Sequence, residues 1–401
     1  MTKQVRAKNR LSKYIGLLVG IIFFRPLIIQ VDPRLNSINA FISIAGIVVS
    51  MLLLGRYLAH TKLKISKQWM MLLLFCGWLI LSSIINYSAV LSQIEALIFI
   101  LGIFTLPHFL NNNYRFFLRG LNIYCITICI SNIVSQILFP KAGLYYNLRV
   151  SWQPYYICGN GNSFVFFYLF SLLIMSLDFF YGEKRRFPLV VVIYEVVLLY
   201  SVLLGQSTTG FIILLIYTLL TIFTNSMILS IIKKHYRLII VLVGILFVYI
   251  VLLGGWKTIA VQKLIFDFTR ENANFTNRGE IWESAIGLVK QEPIFGYGAE
   301  SFGLAIGDGG RQRSAHNNFL QIMLLGGIPA LCFYIGLILS SVKHSMEIYK
   351  EKPKEVFVII TVVFLYIISF FFEQNPYYVG FFYCLTINSV YKRINRKQGE
   401  K

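Results

Sequence analysis

The sequence is poor in charge. Only 13% of its 401 residues are Asp, Glu, Lys or Arg, about half the share of roughly 25% found in soluble domains. That scarcity excludes a soluble globular protein and a disordered chain. Cysteine is also sparse: the six residues Cys76, Cys125, Cys129, Cys158, Cys332 and Cys384 form no CxxC pair. A disulfide scaffold is excluded, and the cysteines read as packing residues with no disulfide and no metal site. No GxxxxGK[ST] and no HExxH occurs, and the GxG of Gly296-Tyr297-Gly298 lacks the preceding strand that dinucleotide binding needs. The apolar runs do not alternate with polar residues, which argues against an outer-membrane barrel.

What is present is apolar. Hydrophobic residues make up 57% of the chain and aromatic residues 16%, with a mean hydropathy of +0.69. The fold class this implies is an all-α polytopic membrane protein. A bilayer core needs about 20 apolar residues per helix. Twelve runs qualify: 12–30, 37–59, 69–87, 89–109, 116–139, 163–181, 187–205, 210–231, 237–256, 317–341, 356–372 and 376–391. The last two are short and separated only by Glu373-Gln374-Asn375-Pro376.

The net charge of +20 suggests topology more than nucleic acid, because Lys and Arg gather in cytoplasmic loops. With the N-terminus inside, 26 basic residues fall in inside segments, while the short outside loops hold only Arg34, Lys141 and Arg149. Both termini are therefore expected in the cytoplasm, and the protein in the cytoplasmic membrane. The basic start, Met1 to Lys13, reads as a retained signal-anchor. The organisation expected is an N-terminal bundle of about nine spans (1–256), an extracytoplasmic loop (257–316), and C-terminal spans with a basic tail (317–401).

A loop of that length is usually functional. Residues 257–268 suggest an amphipathic surface helix. A second helix is expected after Asn277, whose spacing to Glu280 fits a capping box, and should end before Pro293. On it, Arg278, Trp282 and Ala285 share a face. Four histidines, His60, His108, His235 and His344, map inside; His316 alone maps outside. Among intramembrane charges, Arg25 sits beside a Pro26 kink, Glu195 lies deep in the seventh span, and Glu373 is near the outer end of the eleventh. Such groups are functional candidates by default, and the carboxylates keep a transporter reading open.

The run Arg278-x3-Trp282-x2-Ala285-x7-Pro293-x2-Gly296-x-Gly298-x3-Phe302, followed by His316-Asn317 and Gly326-Gly327-Ile328, resembles the O-antigen ligase and polymerase family over roughly residues 160–340. The resemblance implies a type C glycosyltransferase-like fold, an undecaprenyl-diphosphate-linked glycan as donor, and no metal, nucleotide sugar or other cofactor. It implies that Arg278 holds the donor diphosphate and His316 activates the acceptor. Asn160-Gly161-Asn162 resembles the family's Asn-rich motif, giving Asn162 a hydrogen-bonding role or a capping one. One departure stands out: where the family ligases often carry a Ser-Arg pair, this chain reads Gly205-Gln206-Ser207-Thr208-Thr209-Gly210.

The chemistry adds further candidates. A leaving diphosphate needs cations, and the planar arginine fork suits phosphate oxygens. Arg311, Arg313 and Arg270 are candidates beside Arg278, with Lys257 and Lys263 nearer the membrane surface. A neutral imidazole at His316 can take the acceptor proton; Glu280, Glu283 and Glu300 are alternative bases. Trp282, Tyr297 and Phe302 either stack on sugars or pack against the bundle. Asn317 is a further substrate-binding candidate. The favoured expectation is a polymerase of lipid-linked repeat units for capsule, exopolysaccharide or O-antigen. A ligase of finished glycans and a lipid-linked oligosaccharide flippase are the alternatives. Expected partners are the glycan donor and acceptor, the bilayer, a flippase and a chain-length regulator, and no nucleic acid.

Overall fold

The computed structural model describes residues 3–60, 66–110, 114–146, 153–180, 189–222, 278–304 and 314–390, with residue 306 and short pieces between 234 and 258. Residues 259–268 of the amphipathic helix expected at 257–268, Lys263 and Arg270 included, lie outside the described residues, as do Asn277, Arg311 and Arg313. Among the described residues the architecture is helical, apart from isolated bridges joining Tyr145 to Tyr155 and Tyr156 to Gly159.

The elements follow the apolar runs. They are α1 (Lys3–Phe23), α2 (Leu27–Val31), α3 (Asn36–His60), α4 (Lys67–Ile85), α5 (Val90–Thr105) and α6 (Tyr114–Leu138). Then come α7 (Phe164–Phe180), α8 (Leu189–Leu204), α9 (Thr208–Ile222), α10 (Arg278–Gln291), α11 (Asn318–Ile348), α12 (Pro353–Phe372) and α13 (Val379–Thr386). Eight helices among the described residues are long and apolar enough to cross a membrane, and three shorter apolar helices accompany them, at Leu189–Leu204, Thr208–Leu220 and Val379–Val390. The chain is therefore a multi-pass membrane protein. Of the twelve runs, the one at 237–256 falls mostly outside the described residues.

Burial sorts the helices. In α7, 78% of the apolar window is buried, against 17% in α3. A helix apolar all round belongs in the centre, and α7 is that centre, touched by α6, α8, α9, α12 and α13. By contrast, α3 turns Phe41, Leu52 and other large apolar side chains outward, as a lipid-facing helix does.

Two devices tie the bundle together. First, α1 and α6 meet through small residues. A Cβ on Gly16 would stand 2.2 Å from the Phe117 carbonyl oxygen, and one on Gly120 would stand 2.0 Å from that of Lys13. Between membrane helices, where lipid is as apolar as leucine, such close approach supplies the packing energy. Second, a buried polar chain links α6, α7 and α8. Asn132 donates to the Tyr168 hydroxyl (2.7 Å), which meets Ser201 Oγ (2.6 Å), and Ser201 donates to Gln136 Oε1 (2.5 Å). The same Asn132 accepts from the Cys158 N–H at 2.7 Å, fixing the segment that leads into α7.

The kink expected at Pro26 is a full break between α1 and α2, with Arg25 inside it. Pro26 has no N–H to continue the helix. The Tyr124 hydroxyl donates to the Phe24 carbonyl at 2.8 Å, giving a partner to a carbonyl at the broken end. All six cysteines are free thiols, five buried and Cys332 exposed.

Candidate functional site

The site starts from a break in α11. Gly326 (φ −149°) and Gly327 (φ +67°) have non-helical backbone, a conformation that Gly327 adopts freely because it lacks a Cβ. The break leaves carbonyls that need donors. Leu324 accepts from the Tyr297 N–H (2.7 Å), Leu325 from Ser82 Oγ (2.7 Å) and Gly326 from Trp78 Nε1 (2.7 Å). In return the Ile328 N–H donates to the Pro293 carbonyl at 2.8 Å. The segment Pro293–Gly298 is thereby bonded onto α4 and α11.

Gly296 and Gly298 serve this docking. Both have positive φ, and a Cβ on Gly296 would stand 2.5 Å from the Leu324 carbonyl oxygen. The single Ser82 O–H is shared between the Leu325 carbonyl and that of Phe295 (2.5 Å), and the Ala299 N–H donates to Ser88 Oγ (3.0 Å). The aromatic ring of Phe295 stacks on Trp78.

Helix α10 ends at Gln291, ahead of Pro293. Its apolar face, Ile281, Trp282, Ala285 and Val289, is buried against Leu320, Met323 and Leu324 of α11. Glu280 in its first turn and Lys290 in its last complement the helix dipole. Trp282 is 1% exposed, so its rings pack in the protein core. The Tyr297 hydroxyl donates to the Leu288 carbonyl at 3.0 Å. Burial, with the Glu292 carboxylate adding to it, pushes this phenol above its ordinary value. Glu283, one of the alternative bases, pairs with Lys257 Nζ at 2.9 Å, with both side chains more than half exposed.

The packing of α10 points Arg278 at the far end of α12. Arg278 Nη2 donates to Glu373 Oε1 at 2.6 Å, and both side chains are nearly buried, 13% and 11% exposed. The other oxygen, Glu373 Oε2, lies 3.7 Å from His316 Nδ1. That is longer than a hydrogen bond, and the two form an ion pair only when the imidazole is protonated. One carboxylate thus faces both residues that the loop motif singled out. The His316 side chain is 36% exposed, so the ring is reached from outside.

The two asparagines after His316 hold this arrangement. Asn317 caps α11, its Oδ1 accepting from the Phe319 and Leu320 N–H groups (3.0 Å each), and its Nδ2 donates to the Phe371 carbonyl (3.1 Å). Asn318 Oδ1 accepts from the Asn375 N–H (3.0 Å). Together they grip the chain on both sides of Glu373. Gln321 adds an anchor before the histidine, accepting from the Ala315 N–H (3.2 Å) and donating to Ser301 Oγ (3.2 Å). His316 itself has φ +44°. A left-handed conformation costs a residue other than glycine about 1–3 kcal/mol and persists where the surroundings enforce it.

Of the residues expected at the site, Arg278 and His316 converge. Asn317 is fully buried and its side chain is engaged with backbone; Trp282 and Tyr297 are engaged in packing the loop. Asn162 sits half-buried on the turn Gly161–Ser163, which closes through Asn160 Oδ1 accepting from the Ser163 N–H (3.1 Å) and hydroxyl (2.7 Å). Glu373, a functional candidate in the sequence through its place near a span end, is here joined to the loop motif; Asn318 is the member that the sequence does not mark, hidden inside an apolar start. Among the described residues no group of three or more His, Cys, Asp or Glu is gathered as a metal site.

A family model described as O-antigen ligase matches residues 193–335. The match contains Arg278 and His316 and ends before Glu373. Over that stretch the chain is similar to the O-antigen ligase and polymerase-like family. No curated protein matches the chain.

Proposed function

We propose that this protein is a membrane glycosyltransferase that joins polyprenyl-diphosphate-linked repeat units on the outer face of the cytoplasmic membrane. In family terms this is a polysaccharide polymerase acting on undecaprenyl-diphosphate glycans, without a cofactor. Its termini lie in the cytoplasm, and 257–316 is its extracytoplasmic catalytic loop. The observation that carries the reading is the meeting of Arg278 and His316 on the Glu373 carboxylate, in a chain whose family match spans both.

In this mechanism Arg278 holds the donor diphosphate. A guanidinium has five N–H donors, and one of them goes to Glu373. Glu373 favours the His316 tautomer protonated at Nδ1, leaving Nε2 as the base. An acceptor hydroxyl attacks the anomeric carbon of the donor. Its proton passes to His316 Nε2, the anomeric C–O bond breaks, and the lipid diphosphate leaves with the electron pair beside Arg278. A single displacement of this kind inverts the anomeric centre.

A ligase reading uses the same chemistry with a different acceptor, and the description of the matched family favours it. The absence of an arginine at Gln206–Gly210 weighs toward the polymerase. A flippase reading would use Glu195 and Glu373 as cavity charges, but Glu373 is engaged by Arg278.

The deciding experiment compares surface and lipid-linked glycans in a deletion strain complemented with wild type or with His316→Ala. Single repeat units replacing a ladder, rescued by wild type alone, support a polymerase. A full ladder stranded on the carrier lipid supports a ligase. An unchanged profile removes both.

A further inference from the structure

A cavity of about 340 Å³ opens between the α1–α2 break, α5 and the turn joining α12 to α13. It lies within the size range of small-ligand sites, about 300–1,000 Å³. Asn375, which lines it, lies two residues beyond Glu373 on the turn that follows α12. Its polar groups include Arg25, Gln30, Ser92, Glu95 and Asn375, and its walls include Phe99 and Tyr378.

Arg25 is held in place before any ligand arrives. Its Nη1 donates to Ser43 Oγ at 2.5 Å, and its guanidinium lies over the Phe99 ring, 5.4 Å from the centroid. Phe99 is itself packed on α3 where a Cβ on Gly46 would stand 2.2 Å from the ring. An arginine at membrane depth is costly unless it is used. A second charge, Glu95 on α5, lines the same space and attracts Arg25 across it.

The mixture identifies the ligand class. A phosphate would meet repulsion from Glu95, and an apolar chain would make no use of the cavity's hydrogen-bonding groups. A sugar ring suits all of the groups: its hydroxyls donate to a carboxylate and accept from a guanidinium or amide, while its C–H face packs on an aromatic ring. We propose that this cavity binds a sugar residue of the acceptor glycan, with Arg25 and Glu95 as its specificity determinants. The role as acceptor site rests on the transferase reading; sugar binding does not.

The test uses the full-length protein in lipid nanodiscs. The probe is the oligosaccharide freed by mild acid from the host's own lipid-linked repeat units, with binding read by saturation-transfer NMR and equilibrium dialysis. Wild type and Gly287→Ala, at a position with open space around it, should bind it alike. Arg25→Lys and Glu95→Gln should each weaken binding by about tenfold or more, as loss of a charged hydrogen bond does. Inorganic pyrophosphate should not displace the probe. Should Arg25→Lys fail to fold, Glu95→Gln decides alone. No binding by wild type, unchanged binding by the folded variants, or displacement by pyrophosphate would each overturn the proposal. Failure of the transferase reading looks different: His316→Ala would leave the cell's glycans unchanged while the cavity variants still lost the probe.

Discussion

Arg278 and Glu373, 95 residues apart in sequence, are joined by a 2.6 Å charged hydrogen bond between the first turn of α10 and the end of α12. The pair fastens α10 to the helical bundle and holds the other carboxylate oxygen 3.7 Å from His316 Nδ1.

Breaking this pair from one side should cost more than removing it whole. Glu373→Ala leaves a nearly buried guanidinium unpaired, on the order of 3 kcal/mol. The double variant Arg278→Met with Glu373→Leu should cost clearly less. Thermal unfolding in detergent measures both, together with Arg278→Met alone; a double-variant loss equal to the sum of the single losses would show that the pair carries no coupling.

Asn317 should behave as a positioning residue. Asn317→Ala removes a helix cap, about 1 kcal/mol, and should lower both stability and transfer. Asn317→Ser keeps a capping oxygen and should recover much of both. A direct substrate contact would give another pattern: loss of transfer in both variants, with melting temperatures unchanged.

The loop glycines divide into two kinds. Gly296 has φ +59° and no room for a Cβ, whereas Gly287 in α10 has open space around it. Gly296→Ala should undock the loop and speed proteolysis of 278–304. Gly287→Ala should be tolerated or stabilise by up to about 1 kcal/mol. Equal protease sensitivity in the two variants would contradict the docking described above.

Trp282 and Glu283 test the roles of sugar platform and alternative base. Trp282→Phe should retain most transfer, while Trp282→Ala should destabilise by about 3–5 kcal/mol as a buried truncation. Glu283→Gln breaks only an exposed pair with Lys257, worth under about 1 kcal/mol, and should leave transfer intact. Loss of transfer in Glu283→Gln at normal abundance would make that residue the base.

The spans were legible because bilayer length dictates apolar run length, and most observed helix ends fall within a few residues of the runs. The run at 163–181 became α7 and that at 187–205 became α8. Other features were not legible. Gly326-Gly327-Ile328 read as helix because its neighbours are apolar; the break depends on donors from Tyr297, Ser82 and Trp78, distant in sequence. Arg278 and His316 carried a motif. Glu373 carried none, since nothing in local spacing records a partner 95 positions away. Trp282 looked like a sugar platform because an aromatic on an amphipathic face reads the same whether that face packs or binds.

The most direct measurement is transfer by the purified protein in vesicles supplied with the host's lipid-linked repeat units. Wild type is compared with Glu373→Gln and His316→Ala at equal reconstitution. The expected result is a ladder of products from wild type, none from His316→Ala, and at most a few per cent of the wild-type rate from Glu373→Gln, since loss of an orienting carboxylate lowers general-base catalysis by about 10²–10⁴-fold. Full ladders from both variants would contradict the assignment of Arg278, Glu373 and His316 as the centre of transfer.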